Sequence, residues 1–321
     1  MKIIFFGTSQ FAIPVLVALV NTNMAPSLVV TTPDKPQGRG KKTQSPPVKI
    51  WAQSNELPII QPEKLSIKYL VSSIKYADLF VVASFGKIIP KELLDIPKYG
   101  ALNVHPSLLP KYRGPSPIQT AILNGDSETG VTIMLMDEEM DHGPILAISN
   151  FQFSIFKKTY GELEKDLSEL GAKLLTGVIT DWISGKIKPR PQNHDAATYT
   201  KKIVKEDGRV NWHESAEVIE RRIRAYTPTP GAFTFWQIKN ALVRLKIVGA
   251  EIIAKPSEIS DGEVFKTKNV LGVGTSNGAL KILKIQLQGK REMTGMEFLN
   301  GHADIIGAKL LFTQQISMSP K

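Results

Sequence analysis

Short, almost wholly apolar runs are the sequence feature that most limits the folds open to this chain. Examples are KIIFF at 2–6, SLVVTT at 27–32 and ADLFVVA at 77–83, and stretches with helical spacing at 10–20 and 48–55 lie between them. Each run has the length of a strand, and a strand that is apolar throughout is buried on both faces. The alternation predicts an α/β domain with a Rossmann-like, mostly parallel sheet and helices on both faces.

The character of the sequence changes after a long amphipathic helix predicted at 160–184. Before that helix, further strands are expected at 101–104 and 129–136. After it, KIKPRPQ combines two prolines with positive charge, as linkers often do. A helix at 216–225 and short strand-like runs follow. The predicted organisation is an N-terminal domain at 1–185, a linker at 186–205 and a small β-barrel of the oligonucleotide-binding (OB) type at 206–315.

The charge of the chain favours a polyanionic partner. Lys and Arg outnumber Asp and Glu both before and after residue 205, and the net charge is +10. A basic surface on both domains suits a nucleic acid, although solubility alone also accounts for such a charge.

The absence of cysteine excludes disulfides, thiolate metal sites and cysteine nucleophiles, and it suits a reducing cytosol. No apolar run approaches the roughly 18 residues of a membrane span. The apolar N-terminus is broken from Gly7 onwards, so we interpret it as a buried strand rather than a signal peptide. A cytoplasmic monomer without membrane contact is expected. No group of His and carboxylate residues has metal-ligand spacing, so no metal is expected.

Two polar residues stand together near the end of the strand at 101–104. Residues two apart in a strand point to the same face, so Asn103 and His105 share one side, and Pro106 ends the strand. Open α/β sheets bind ligands at such strand ends. An isolated pair of this kind also fits two side chains that only hydrogen-bond neighbouring loops. A nearby carboxylate would favour catalysis, and the turn after 129–136 offers four: Asp137, Glu138, Glu139 and Asp141.

Longer motifs resemble a known family. The run NVHPSLLPKYRG at 103–114 resembles the signature of the folate-dependent formyltransferases, and TIMLMDEEMDHGPIL at 132–146 resembles their second signature. The N-terminal FFGTSQFA and the loop PDKPQGRGKK are similar to the branch of that family that formylates an aminoacylated tRNA. The similarity covers essentially the whole chain, including RVNWHESAEVIERRIRAYTPTPGA at the head of the C-terminal domain.

The resemblance implies an activity and roles for particular residues. The implied reaction transfers the formyl group of 10-formyltetrahydrofolate, a co-substrate, to the amino group of methionyl-initiator-tRNA. Asn103, His105 and Asp141 occupy the positions of the family's catalytic trio. The positions of its folate pocket fall on Phe85, Gly86, Ile88, Ser107, Leu108, Leu109 and Pro110.

The residue types of the trio suit that reaction. When the amine attacks the formyl carbon, negative charge develops on the formyl oxygen, and the Asn103 amide and the protonated His105 ring are suitable donors to it. Asp141 would orient the ring and favour its charged form. The proton that the amine loses goes either to His105 or to a water held by Asp141, and the sequence leaves that choice open.

The basic loop from Pro33 to Pro47 indicates the acceptor. It is expected to lack regular structure, and glycines flank its basic residues Arg39, Lys41 and Lys42. A solvated loop is one interpretation of such a charge run, but a loop of this length and composition also suits contacts with phosphates and an unpaired nucleotide. The resemblance implies that this loop enters the acceptor stem of the initiator tRNA, and Arg39 occupies the position most expected to make that contact.

Several departures and rival functions accompany the resemblance. Glu139 and His142 stand where the family commonly has Gly and Thr, and Thr229 stands where Trp is frequent. A formyl-folate hydrolase would use the same trio to release formate. Formyltransferases that act on glycinamide ribonucleotide or on sugar nucleotides would lack this loop and C-terminal domain. A non-catalytic tRNA-binding protein is a rival of another class, but it would have no use for the trio.

Overall fold

The computed structural model describes residues 1–37, 42–66, 72–151 and 157–312. The chain divides into two compact units, and each unit draws on more than one stretch of sequence. The first unit consists of Met1–Ile118, Ser127–Phe153 and Leu163–Lys202. The second unit consists of Gln119–Asp126, Ser154–Glu162 and Ile203–Lys321.

A mixed sheet with mostly parallel strands forms the centre of the first unit. Its strands, in pairing order, are β5 (Ile59–Ile60), β2 (Leu28–Val30), β1 (Ile3–Gly7), β6 (Leu79–Ala83), β7 (Ala101–His105), β8 (Thr129–Leu135) and β9 (Ile145–Phe151). Every pairing from β5 to β7 is parallel. The last two pairings, β7 with β8 and β8 with β9, are antiparallel. The predicted fold class is therefore confirmed. The unit also has two short strands outside this sheet, β3 (Lys35–Gln37) and β4 (Lys42–Gln44).

The parallel strands are buried because their runs are apolar on both faces. All residues of β1, β2 and β6 are buried. The aromatic rings of Phe6 and Phe80 pack with their centroids 5.0 Å apart, and Phe85 meets Phe6 edge-on at 5.4 Å. These ring contacts hold Phe85, the first residue of the predicted folate segment, against the buried strands β1 and β6.

The described helices are α1 (Ala12–Asn21), α2 (Pro47–Ser54), α3 (Lys91–Leu94), α4 (Pro117–Asn124), α5 (Tyr160–Ile183), α6 (Ala216–Ala225) and α7 (Gly295–Gly301). Helix α5 buries Leu163, Leu167 and Leu175, which recur at helical spacing. A side chain at Gly171 of this helix would come within 2.7 Å of Val104, so the glycine lets α5 pack closely on β7. Val104 points to the face of β7 opposite to that of Asn103 and His105, so α5 does not pack on the face that carries these two polar side chains.

The basic loop contains regular structure, and the prediction of an unstructured segment was wrong. Strands β3 and β4 pair antiparallel, with Lys35 opposite Gln44. At the base of this hairpin the Asp34 carboxylate accepts hydrogen bonds from Gln61 (2.7 Å), Lys49 (2.6 Å) and Ser45 (3.1 Å). These bonds lower the pKa of Asp34, with that from Gln61 the largest cause. The pairing escaped prediction because its strands have no apolar alternation. Arg39, Lys41 and the side chain of Lys42 lie outside the described residues.

The second unit contains a curled antiparallel sheet. Its strands, in pairing order, are β10 (Ala232–Ile238), β11 (Ala241–Ile253), β14 (Ala279–Leu287), β13 (Val270–Gly274) and β12 (Val264–Thr267), and β15 (Glu292–Thr294) pairs with β14. Two residues that follow α7 in the sequence bridge to the two edges of this sheet. Leu311 pairs with Phe235 of β10, and Lys309 pairs with Glu263, which directly precedes β12. Trp236, Leu245 and Ile247 belong to the core beneath it.

None of the helices described is both long enough and apolar enough to cross a membrane.

Candidate active site

Asn103 and His105 occupy one face of β7, at the end of the strand. The His105 side chain is buried, with 4% of its surface exposed. Its ring Nε2 lies 2.9 Å from the backbone oxygen of Tyr112. A carbonyl oxygen only accepts hydrogen bonds, so Nε2 carries a proton and donates it. This bond fixes the ring and leaves Nδ1 directed towards Asp141.

Asp141 reaches this face from a turn that folds back over the sheet. Strand β8 runs antiparallel to β7, so the turn that follows it begins beside the first residues of β7. The turn packs tightly, because a Cβ on Gly143 would lie 2.0 Å from the backbone oxygen of Leu135. Asp141 itself has a φ of +51°, which is uncommon for a residue other than glycine. The close packing and the left-handed residue together turn the carboxylate back towards β7.

The three side chains of the predicted trio meet at one carboxylate oxygen. Asp141 Oδ1 accepts a hydrogen bond of 3.3 Å from Asn103 Nδ2 and lies 3.5 Å from His105 Nδ1. The other oxygen, Oδ2, accepts a bond of 2.7 Å from the backbone N–H of Gly114. The side chain of Asp141 is 15% exposed. An amide, an imidazole and a carboxylate thus share a small, mostly buried space.

The other three acidic residues of the turn are placed elsewhere. Asp137 Oδ2 lies 2.6 Å from His142 Nδ1, and Glu139 lies 3.9 Å from the other ring nitrogen of His142. Glu138 is exposed. The geometry therefore singles out Asp141 from the four carboxylates that the sequence left open.

The first predicted folate segment follows β6, and the second follows its parallel neighbour β7. Val82 pairs with Asn103, so both segments leave the sheet at the same edge. In the first segment the Phe85 side chain is buried in the core, Gly86 has a φ of +75°, and Ile88 is 87% exposed. Phe85 would thus contact a ligand only through its backbone.

The second folate segment is held by β8. Thr132 Oγ1 donates to the backbone oxygen of Ser107 (2.7 Å) and accepts from the backbone N–H of Leu109 (3.2 Å). The Ser107 hydroxyl donates to Lys111, and Leu109 is buried before a cis peptide bond to Pro110. Leu108 is half-buried. These bonds fix the backbone of the segment.

Several contributors to the site have no signal in the sequence. The backbone oxygen of Tyr112 and the backbone N–H of Gly114 act through main-chain atoms, which residue types do not reveal. Gln192 contacts the turn of Asp141 from the segment that was predicted to be a linker. Its burial, at 5% exposed, is the feature that marks it. Among the residues described, no group of three His, Asp or Glu side chains is arranged to hold a metal ion.

Comparisons with known proteins cover both units. A formyl transferase family model matches residues 1–179, and a model of the formyl transferase C-terminal domain matches residues 202–303. The methionyl-tRNA formyltransferase of Thermodesulfovibrio yellowstonii is 43% identical over 302 residues, which cover 93% of this chain and 95% of the relative. The methionyl-tRNA formyltransferase of Chloroflexus aurantiacus is 42% identical over 311 residues, which cover 95% of this chain and 99% of the relative.

Solved structures share the fold at lower identity. HypX from Aquifex aeolicus, in complex with tetrahydrofolic acid, superposes with a TM-score of 0.65 at 18% identity, over 95% of this chain and 48% of that one. The sugar 3N-formyl transferase WlaRD, in the presence of dTDP and 5-N-formyl-THF, gives a TM-score of 0.61 at 21% identity, over 91% and 99%. With both domain models matched in order and relatives above 40% identity over nearly its full length, the chain belongs to the formyl transferase family.

Proposed function

We propose that this chain transfers the formyl group of 10-formyltetrahydrofolate to the free amino group of methionyl-initiator-tRNA, giving N-formylmethionyl-tRNA for translation initiation. Relatives with this activity in their names are 40–43% identical to it over most of its length. The observation that carries the chemistry is the meeting of Asn103, His105 and Asp141 around one oxygen. A protein that only binds tRNA has no need of this arrangement.

The geometry supports Asn103 and His105 as donors to the formyl oxygen. Both ring nitrogens of His105 face oxygen acceptors, Nε2 the Tyr112 carbonyl and Nδ1 the Asp141 carboxylate. The Nδ1 to Oδ1 distance of 3.5 Å is long for a hydrogen bond. In its proposed role as a donor, Nδ1 can therefore hydrogen-bond a formyl oxygen placed beside the ring. The Asn103 amide, with its second N–H, supplies a neighbouring donor.

The same arrangement indicates a route for the proton of the amine. A ring nitrogen that donates to the formyl oxygen cannot also accept the proton of the amine, so in this proposal Asp141 takes that proton, directly or through a water. A bond forms between the amine nitrogen and the formyl carbon, and the bond from that carbon to N10 of the folate breaks. The proton then passes from Asp141 to N10. The carboxylate thus ends the cycle in its starting state.

The second unit presents a surface suited to RNA. Phe233 and Phe235 alternate along β10 with the core residue Trp236 and so lie on the other face of the sheet. The guanidinium of Arg244 lies 3.6 Å from the ring centroid of Phe233, and that of Arg209 lies 5.8 Å from Phe235. Phe233 and Phe235 are themselves buried, so this face offers the half-buried guanidinium groups of Arg209 and Arg244, and arginine is suited to contacts with phosphates. This surface supports the proposal that residues 206–315 form a tRNA-binding domain of the OB type.

The basic residues of the β3–β4 hairpin complete the proposed tRNA contacts. Arg39 and Lys41 follow β3 in the sequence, and Lys42 is the first residue of β4. Their positive charge and the flanking glycines suit contacts with an RNA acceptor stem. A monomer in the cytoplasm, without membrane contact, completes the proposal.

Product analysis tests the proposed function. The purified protein is incubated with 10-formyltetrahydrofolate and methionine-charged initiator tRNA, and the tRNA is then hydrolysed and its amino acid identified. Formyl-methionine is expected. Free formate without formyl-methionine would assign the chain to the hydrolases, and tRNA binding without either product would identify a non-catalytic binding protein.

A further inference from the structure

Gln192 holds the turn that carries Asp141. Its side-chain nitrogen donates to the backbone oxygens of Asp141 and Gly143, each at 2.8 Å. These two oxygens lie on either side of His142, so a single amide group fixes the turn at two points. Asp141 adopts its left-handed backbone conformation within this short stretch. A turn that is unfavourable for a non-glycine residue persists only when surrounding contacts maintain it.

Gln192 is in turn oriented by a buried arginine. Arg113, which is 1% exposed, donates from Nε (3.2 Å) and from Nη2 (2.8 Å) to Gln192 Oε1. A guanidinium only donates, so the amide oxygen must face Arg113 and the amide nitrogen must face the turn. Arg113 immediately precedes Gly114, whose N–H binds Asp141 Oδ2. The carboxylate and its turn are thus held from two connected sides.

A second contact from the same segment reaches residue 142. Arg113 Nη2 donates to His194 Nδ1 at 2.9 Å, since a guanidinium has no acceptor atom. The His194 ring stacks on His142 with the centroids 4.0 Å apart and the planes 10° from parallel. On its other side, His142 binds Asp137. Gln192 and His194 together therefore contact Asp141, His142 and Gly143 of the turn.

We propose that Gln192 is a positioning residue for the formyl transfer, acting through Asp141. This inference rests on the proposed function, since it takes Asp141 as a catalytic group. Gln192 contacts neither Asn103 nor the His105 ring among the hydrogen bonds of the described residues, so its effect passes through the turn. Loss of the two bonds lets the turn relax and moves the carboxylate away from Nδ1 of His105.

The substitution Gln192→Glu separates positioning from folding. A glutamate keeps the volume of the side chain and still accepts from Arg113, but it cannot donate to the two backbone oxygens. We expect kcat to fall about tenfold, since small misplacements of a reacting group are costly, while the KM for the folate stays nearly unchanged. Gln192→Ala should show the same loss. If the alanine variant melts early, the glutamate variant carries the test. Gln53→Glu, the same substitution at an exposed position of α2, is the matched control and should keep wild-type turnover.

A double-variant cycle identifies the route of the effect. If Gln192 acts through Asp141, adding Gln192→Glu to Asp141→Asn lowers kcat no further than Asp141→Asn alone. The same fold-loss in both backgrounds would overturn the inference, because Gln192 would then act independently of the carboxylate. Wild-type turnover in both Gln192 variants, with Asp141→Asn impaired, would also overturn it and leave the proposed function intact. Wild-type turnover in Asp141→Asn itself would instead refute the proposed role of Asp141.

Discussion

Gly143→Ala is predicted to disable the site while leaving every side chain of the trio in the sequence. The added Cβ would lie 2.0 Å from the backbone oxygen of Leu135 and 3.1 Å from its carbonyl carbon, whereas ordinary contact begins at 3.4 Å. The difference, 3.4 Å less 2.0 Å, requires a movement of about 1.4 Å. Both obstructing atoms belong to the backbone of β8 and cannot rotate away. The turn must therefore shift, and Asp141 shifts with it.

The expected loss follows from the sensitivity of catalysis to position. A misplacement of about 1 Å can cost on the order of 10² in rate, so kcat for formylation of charged initiator tRNA should fall about a hundredfold. Steady-state kinetics at saturating folate measure this loss, and a thermal melt reports whether the fold is retained. Gly177→Ala is the matched control, because no atom lies within 4 Å of a Cβ at that position of α5. In a helix, alanine stabilises by roughly 0.5–1 kcal/mol relative to glycine.

Two results would refute this reasoning. Wild-type turnover of Gly143→Ala at an unchanged melting temperature would show that the turn accommodates a methyl group without moving the carboxylate. An equal loss of turnover in Gly177→Ala would show that the effect is not specific to the packing of the turn on β8.

Three further changes test other parts of the molecule. Replacing Arg39, Lys41 and Lys42 by alanine should raise the KM for tRNA and weaken the salt dependence of that KM, while the KM for the folate stays unchanged. A wild-type KM for tRNA would contradict the assignment of these residues. Arg244→Ala should weaken tRNA binding in a filter assay, because it removes the guanidinium stacked on Phe233, and unchanged affinity would exclude that surface. Hydrogen bonds from Thr294 lower the pKa of Glu297 below its ordinary value of 4.5. A lowered carboxyl pKa stabilises the fold above the ordinary value and ceases to do so as the pH falls through the lowered one. The difference in melting temperature between wild type and Glu297→Gln should thus be largest at neutral pH and disappear in acid.

The parts of the fold that could be predicted are those in which local pattern and burial agree. Strands β1 and β6 are apolar throughout because both faces are covered, and helix α5 repeats leucines at helical spacing because one face is covered. Strand β9 was missed because its burial alternates but the polarity of its residues does not, since the apolar Ile148 stands at an exposed position. The β3–β4 hairpin was missed for a similar reason, because its polar strands are held by backbone pairing and by Asp34 rather than by a core.

The candidate site was predictable in its side chains but not in its supports. Asn103 and His105 follow from the two-residue period of a strand, and Asp141 was singled out by family resemblance alone. The antiparallel direction of β8 was not foreseen, because strand direction depends on connections that a local pattern does not encode. Gln192 lies about fifty residues beyond the turn in a proline-containing segment, and only the folded chain brings the two together.

A single-turnover experiment, with enzyme in excess over charged tRNA, tests most directly whether the trio performs the chemistry. It measures the rate of formyl transfer in Asn103→Ala and in Asp141→Asn. Both variants should melt as the wild type does and transfer the formyl group at least about tenfold more slowly, because each loses an interaction with the oxygen or proton of the reacting groups. Transfer at the wild-type rate in both variants would contradict the assignment of the trio.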